Sequence, residues 1–208
     1  MTDDVSVTDG LPPTAAIVRL VESAAGVRLD VDTEADAVET TDGIADASDD
    51  TSASAGDENR RSAESSAGEA STTLVGRGGG PAERLLSLLA DADSVVGVVP
   101  RIESSLADQL TSTDTGGTTA RIVLTGRAAA RLTGPTRPAI RSAVADRGVD
   151  LYTHEGDSAI GILIVDDRAV AGLFDDRGLA AVLLTRDPSV RRWAAESCRR
   201  YLDAADPL

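Results

Sequence analysis

Between Ser158 and Arg186 the apolar residues fall in three runs of strand length separated by two short charged breaks. The runs are residues 158–165, 169–174 and 179–185; the breaks are Asp166-Asp167-Arg168 and Asp175-Asp176-Arg177-Gly178. This pattern predicts a β-meander. The first run, with Ile160, Ile162, Leu163, Ile164 and Val165, has almost no polar position, so its strand is expected to be buried on both faces. The second break supplies turn formers and a glycine free to take positive φ. Beyond the meander, Asp187 precedes Pro188 as an N-cap ahead of a first-turn proline. Val190, Trp193, Ala194, Ser197, Tyr201 and Leu202 then recur at helical spacing. A long closing helix should therefore lie back on the meander.

Upstream, helical and strand patterns alternate. Pro81 opens a helix over residues 81–90 with Leu85, Leu88 and Leu89 on one side, and residues 94–99 read as a buried strand. A helix over 103–110, a strand over 121–124, a helix over 136–147 ended by Gly148, and a strand over 149–152 follow. The alternation predicts an α/β fold: a layered sheet with parallel N-terminal strands, a C-terminal antiparallel meander and a closing helix. The glycine run around Arg77 is expected to serve as a hinge. A phosphate-binding loop needs Lys followed by Ser or Thr, and the chain has no lysine.

The first 73 residues have a different texture. Residues 13–25 carry Ile17, Val18, Leu20 and Val21 at helix spacing, and residues 27–31 alternate as a short strand does. These two pieces either dock on the main domain or stand apart. From residue 32 to 73 the chain offers Asp, Glu, Ser, Ala, Thr and Gly, too little apolar surface to offset the entropy of ordering. The division expected is an acidic, largely disordered segment over 1–73, with a short helix at 13–25, and an α/β effector-type domain over 74–208.

Charge sharpens that division. The 208 residues hold 20 basic side chains, all arginine, against 35 acidic ones, a net charge of −15. Residues 1–73 carry 17 acidic and 4 basic groups, whereas residues 74–208 carry 18 and 16. The composition, rich in carboxylates, Thr, Ala and Val and poor in aromatics, resembles that of haloarchaeal proteins. Such a balance argues against direct binding of nucleic acid, which needs clustered cations. A single cysteine, Cys198, excludes an internal disulfide and a multi-cysteine metal site. No apolar run nears the ~20 residues needed to cross a bilayer, and the first residues lack the basic stretch of a signal peptide. A cytoplasmic protein without membrane contact is expected.

Candidate chemistry is sparse. The only histidine, His154, follows the third strand beside Glu155 and Asp157, but no Gly-x-Ser-x-Gly elbow accompanies it. The two Asp-Asp pairs read as hairpin residues rather than metal ligands. No catalytic residue, metal or cofactor is expected. In α/β sheets ligands collect at the carboxyl ends of parallel strands. There Arg101 and Arg127 are placed to grip a carboxylate or phosphate bidentately, with His154 beside them as a third ligand-binding candidate. Trp193 and Tyr201 on the closing helix are the candidates for an interface.

Residues 162–208 resemble the C-terminal part of the effector domain of TrmB-like archaeal winged-helix transcriptional regulators. The residues that carry this are Val165-Asp166-Asp167, Gly172-Leu173-Phe174-Asp175-Asp176-Arg177-Gly178, Asp187-Pro188, Val190, Trp193-Ala194 and Tyr201. The resemblance implies a sensor fold related to half of a phospholipase D domain, in a protein controlling transcription. The phospholipase D motif His-x-Lys-x-x-x-x-Asp is missing. Counting back from Asp166 places Ala159 and Gly161 at its His and Lys positions, and from Asp167 they are Ile160 and Ile162. The winged helix such regulators carry ahead of the sensor is not evident in residues 1–73. The expectation is a non-catalytic sensor that binds a small anionic metabolite or a partner protein. Its partners would be a small-molecule effector and a second copy or a DNA-binding protein. The alternatives are a dimerisation module and a hydrolase using His154.

Overall fold

The computed structural model describes residues 11–33, 71–102, 119–132 and 148–208. Among the described residues, nine strands form one mixed sheet: β1 (Val31–Thr33), β2 (Thr72–Gly76), β3 (Ser94–Val99), β4 (Thr119–Leu124), β5 (Val149–Thr153), β6 (Ile160–Val165), β7 (Arg168–Asp175), β8 (Gly178–Thr185) and β9 (Asp206–Pro207). Their order across the sheet is β1-β2-β8-β7-β6-β3-β4-β5-β9. The described helices are α1 (Pro13–Ala25), α2 (Pro81–Ala90), α3 (Gly126–Leu132) and α4 (Pro188–Asp203).

β3, β4 and β5 run parallel, and β6, β7 and β8 form the predicted antiparallel meander. β3 meets β6 antiparallel, which joins the two halves of the sheet. Gly97 makes that junction possible: a Cβ there would lie 2.5 Å from Leu163 Cδ2 and 2.9 Å from the Ile162 oxygen. The β6–β7 turn is tight because Asp166 takes φ 51°, a left-handed value aspartate tolerates better than most residues. Its Oδ1 accepts from the Ser94 amide at 2.9 Å and the Asp93 amide at 3.2 Å, pinning the turn to the start of β3.

Two apolar layers cover the sheet. On one face Leu85 of α2 packs with Val75, Val99, Leu163, Val165 and Val182. On the other, Ile17 and Val21 of α1 and Val190, Ala194 and Cys198 of α4 pack with Val98, Ile162 and Leu183. Each fully buried valine or leucine contributes about 1.5–3 kcal/mol relative to exposure. α4 starts where its sequence directs: Asp187 Oδ1 accepts from the amides of Ser189 at 2.8 Å and Val190 at 3.0 Å, and Pro188 needs no donor there.

The N-terminal pieces dock. Ile17 and Val21 are fully buried, and Gly26 ends α1 with φ 70°. The strand expected over 27–31 falls later, at Val31–Thr33, because the register of β2 offers its first partner, Thr72, to Val31. Residues 27–30 belong to no strand or helix, and Leu29 donates its amide to Glu22 Oε1 at 2.9 Å. The glycine run is a single 3-10 turn, Arg77–Gly79, between β2 and α2, rather than a free hinge. Only the two ends of the tract expected to be disordered, 32–33 and 71–73, are among the described residues. The helices expected over 103–110 and 136–147 lie outside them.

α3 and β9 are additions. Among the described side chains of α3 only Ala128 is fully buried, and its alanines give no amphipathic signal. β9 pairs Asp206 with Thr153 and Pro207 with Tyr152, and Leu208 then donates its amide to the Leu151 oxygen at 2.8 Å. A proline is admissible there because this short strand lies at the sheet edge.

Candidate functional site

β3, β4 and β5 end side by side, and the segments that leave them are sewn together by main-chain bonds. Thr125 donates to the Val99 oxygen at 3.1 Å, His154 to Leu124 at 2.9 Å and Gly126 to Gly156 at 3.3 Å. Gly126, with φ 48°, opens α3 against the side chain of Asp157; a Cβ on it would lie 2.3 Å from Asp157 Oδ1. Thr125 Oγ1 is buried and has no hydrogen-bond partner among the described residues.

Arg101 leaves β3 half-buried and donates from Nη1 to the main-chain oxygen of Asp175, the last residue of β7. Arg127 lies exposed on the first turn of α3. The two arginines of the candidate grip thus differ in setting, one tied to a hairpin and one open to solvent. His154 is half-buried; its Nδ1 accepts from the Gly156 amide at 2.9 Å, which places the proton of the neutral ring on Nε2. Its ring meets Tyr201 edge to face, with centroids 5.0 Å apart and planes at 68°. Tyr201 donates its hydroxyl to the Asp157 oxygen at 3.5 Å, so α4 latches the loop that carries His154. Trp193 and Tyr201, the interface candidates, are both half-buried and pack on the apolar layer beneath α4.

The arrangement offers little reactive chemistry among the described residues. The Nδ1 of His154 is used by a backbone amide, so no carboxylate orients the ring for proton transfer there. No group of three His, Cys, Asp or Glu side chains among the described residues is placed to hold a metal ion. Burial pushes the Cys198 thiol up to about 12 from 9.0, against a smaller opposing effect of a backbone hydrogen bond, so it stays protonated and non-nucleophilic near neutrality. Both Asp-Asp pairs sit at hairpins: Asp166 pins its turn, Asp167 pairs with Arg186 at 2.9 Å, and Asp175 pairs with Arg77. The Arg77–Asp175 pair has no counterpart in the sequence reading. The one available signal was an arginine inside a glycine run, where a long charged side chain meets little competition for space.

Two solved structures share this fold. TrmBL2, described as an archaeal chromatin protein with a novel mode of DNA binding, aligns with a TM-score of 0.52 at 17% identity, over 69% of this chain and 56% of its own. This chain therefore spans little more than half of that protein. NucT from Helicobacter pylori aligns with a TM-score of 0.54 at 14% identity, over 67% of this chain and 100% of its own. At such identities the likeness is one of fold. No curated protein matches the sequence. The family model "Methanogenesis regulatory protein FilR1, middle domain" matches residues 80–204, from the start of α2 through α4. That match and the TrmBL2 fold bear out the resemblance to TrmB-like archaeal regulators read from residues 162–208. With well over half of its length inside the match, the chain belongs to the family of the FilR1 middle domain.

Proposed function

We propose that this chain is the non-catalytic effector domain of a transcriptional regulator, with residues 74–208 as the unit that binds a small anionic metabolite at the carboxyl ends of β3, β4 and β5. Arg101 and Arg127 supply the positive charge and His154 lines the site beside them. The observation that carries this reading is the chemistry of that end of the sheet. It presents arginines on a family scaffold of regulatory proteins, while its one histidine is committed to a backbone amide and an aromatic edge. Guanidinium groups match carboxylates and phosphates in planar, two-pronged contacts.

DNA contact belongs to another chain or segment in this reading, since a net charge of −15 repels a polyanion. The DNA binding named for TrmBL2 fits a regulatory setting of this kind. Thermal melts against a panel of anionic metabolites test the reading. At least one should raise the midpoint, and Arg101→Ala and Arg127→Ala should each abolish the rise. A flat response across the panel counts against it.

A further inference from the structure

Three strands, β8, β7 and β6, lie between β2, which Arg77 follows, and β3, which Arg101 follows, with β7 in the middle. Arg77, directly after β2, pairs through Nη2 with the carboxylate of Asp175 at the end of β7. Arg101, beyond β3, donates from Nη1 to the main-chain oxygen of the same residue. Two cations from opposite sides of the meander thus converge on one aspartate. Neither contact is needed to close the β7–β8 turn. Asp175 Oδ1 accepts from the Arg177 amide at 2.8 Å, and Asp175 pairs with Gly178 across the hairpin. The oxygen facing Arg77 is the other one, Oδ2. With side-chain exposures of 38% for Arg77 and 44% for Asp175, the ion pair is open to solvent, where such pairs hold weakly.

We infer that Arg77 and Arg101 form an anion site whose resident group is Asp175, and that a carboxylate or phosphoryl oxyanion binds there by taking the place of the Asp175 side chain on Arg77. The inference rests on the effector-binding reading above and gives it a position and a built-in competitor. Binding exchanges one oxyanion for another on the same guanidinium, so charge is conserved at the arginine and the ligand needs to outbid only a solvent-exposed pair. Arg101, already turned toward the hairpin, supplies the second point of attachment.

Asp175→Asn separates this role from folding, because the amide oxygen still accepts from Arg177 while the charge facing Arg77 is gone. Inorganic phosphate and malonate are titrated against the full chain at constant KCl, with binding read by calorimetry and thermal midpoint. One of the two probes should bind the unmodified chain, and its identity distinguishes a phosphoryl from a carboxylate ligand. Asp175→Asn should bind that probe about 1.5-fold to fivefold more tightly, the range expected for losing one exposed competitor. Arg77→Gln and Arg101→Gln should lose binding, while Arg192→Gln on α4 should not. No gain in Asp175→Asn, or full binding in Arg77→Gln, overturns the inference. Anion binding that needs Arg127 yet ignores Asp175→Asn and Arg77→Gln leaves the effector reading standing and removes this one. If neither probe binds any variant, this inference falls, and the metabolite panel decides the effector reading by itself.

Discussion

Thr72 on β2 and Thr185 at the end of β8 are register partners whose hydroxyls meet at 2.8 Å, both buried. Thr185 Oγ1 also accepts from the Asp187 amide at 3.0 Å. A two-residue polar link thus joins the outer part of the sheet to the N-cap of α4. Thr185→Val should strand the Thr72 hydroxyl and the Asp187 amide, at a cost of about 1–3 kcal/mol. The double variant Thr72→Val/Thr185→Val should recover part of that, since only the amide remains unpaired. Chemical denaturation of the three variants measures the difference.

Asp187 caps α4 with one oxygen on two amides. Asp187→Ala should lower stability by about 1 kcal/mol, seen as a lower urea midpoint with an unchanged slope. Asp187→Asn, which keeps the oxygen, should lose much less.

The Cys198 sulfur is buried against the carbonyl oxygens of Val96 and Ile162, at 3.8 Å from each. Because burial raises the thiol from 9.0 to about 12, the folded state holds this proton more tightly than the unfolded chain does. Its contribution is full below pH 9 and is lost as the pH climbs through 12. Melts of the native chain should fall more steeply over that window than those of Cys198→Ala. A thiol reagent at neutral pH should label Cys198 only as fast as the protein unfolds.

Gly126 combines a left-handed φ of 48° with contact to Asp157. Gly126→Ala should cost about 1–2 kcal/mol from backbone strain alone, plus the displacement of the Asp157 side chain. Asp157→Ala in the same background should restore only the second part. Thermal melts of the single and double variants separate the two.

Half of the architecture was legible because its signals were dense. The apolar runs of β6, β7 and β8, the Asp-Asp breaks, and Asp187-Pro188 each point to one local structure, and the sheet obeys all of them. Where side chains say little, the reading failed: α3 is built on alanines, and β9 has two residues, one of them proline. The docking of α1 was undecidable in advance because an amphipathic face specifies that something covers it, not what. The site followed the same rule. Placing Arg101, Arg127 and His154 at strand ends needed only the chain order of the strands. Asp175 as the partner of both Arg77 and Arg101 depends on β2 entering the sheet beside β8, a long-range pairing that no local pattern encodes.

The seat of α1 has a temporal consequence. This helix is the first described element to be synthesised, yet apart from β2 the surfaces it rests on are β7, β8 and α4, among the last. A chain emerging in order must hold Ile17 and Val21 in water until almost everything else exists. Contacts this distant in sequence slow assembly, since the intervening chain has to be gathered before they return anything. The amino-terminal arm can therefore take its final seat only once β7, β8 and α4 are in place.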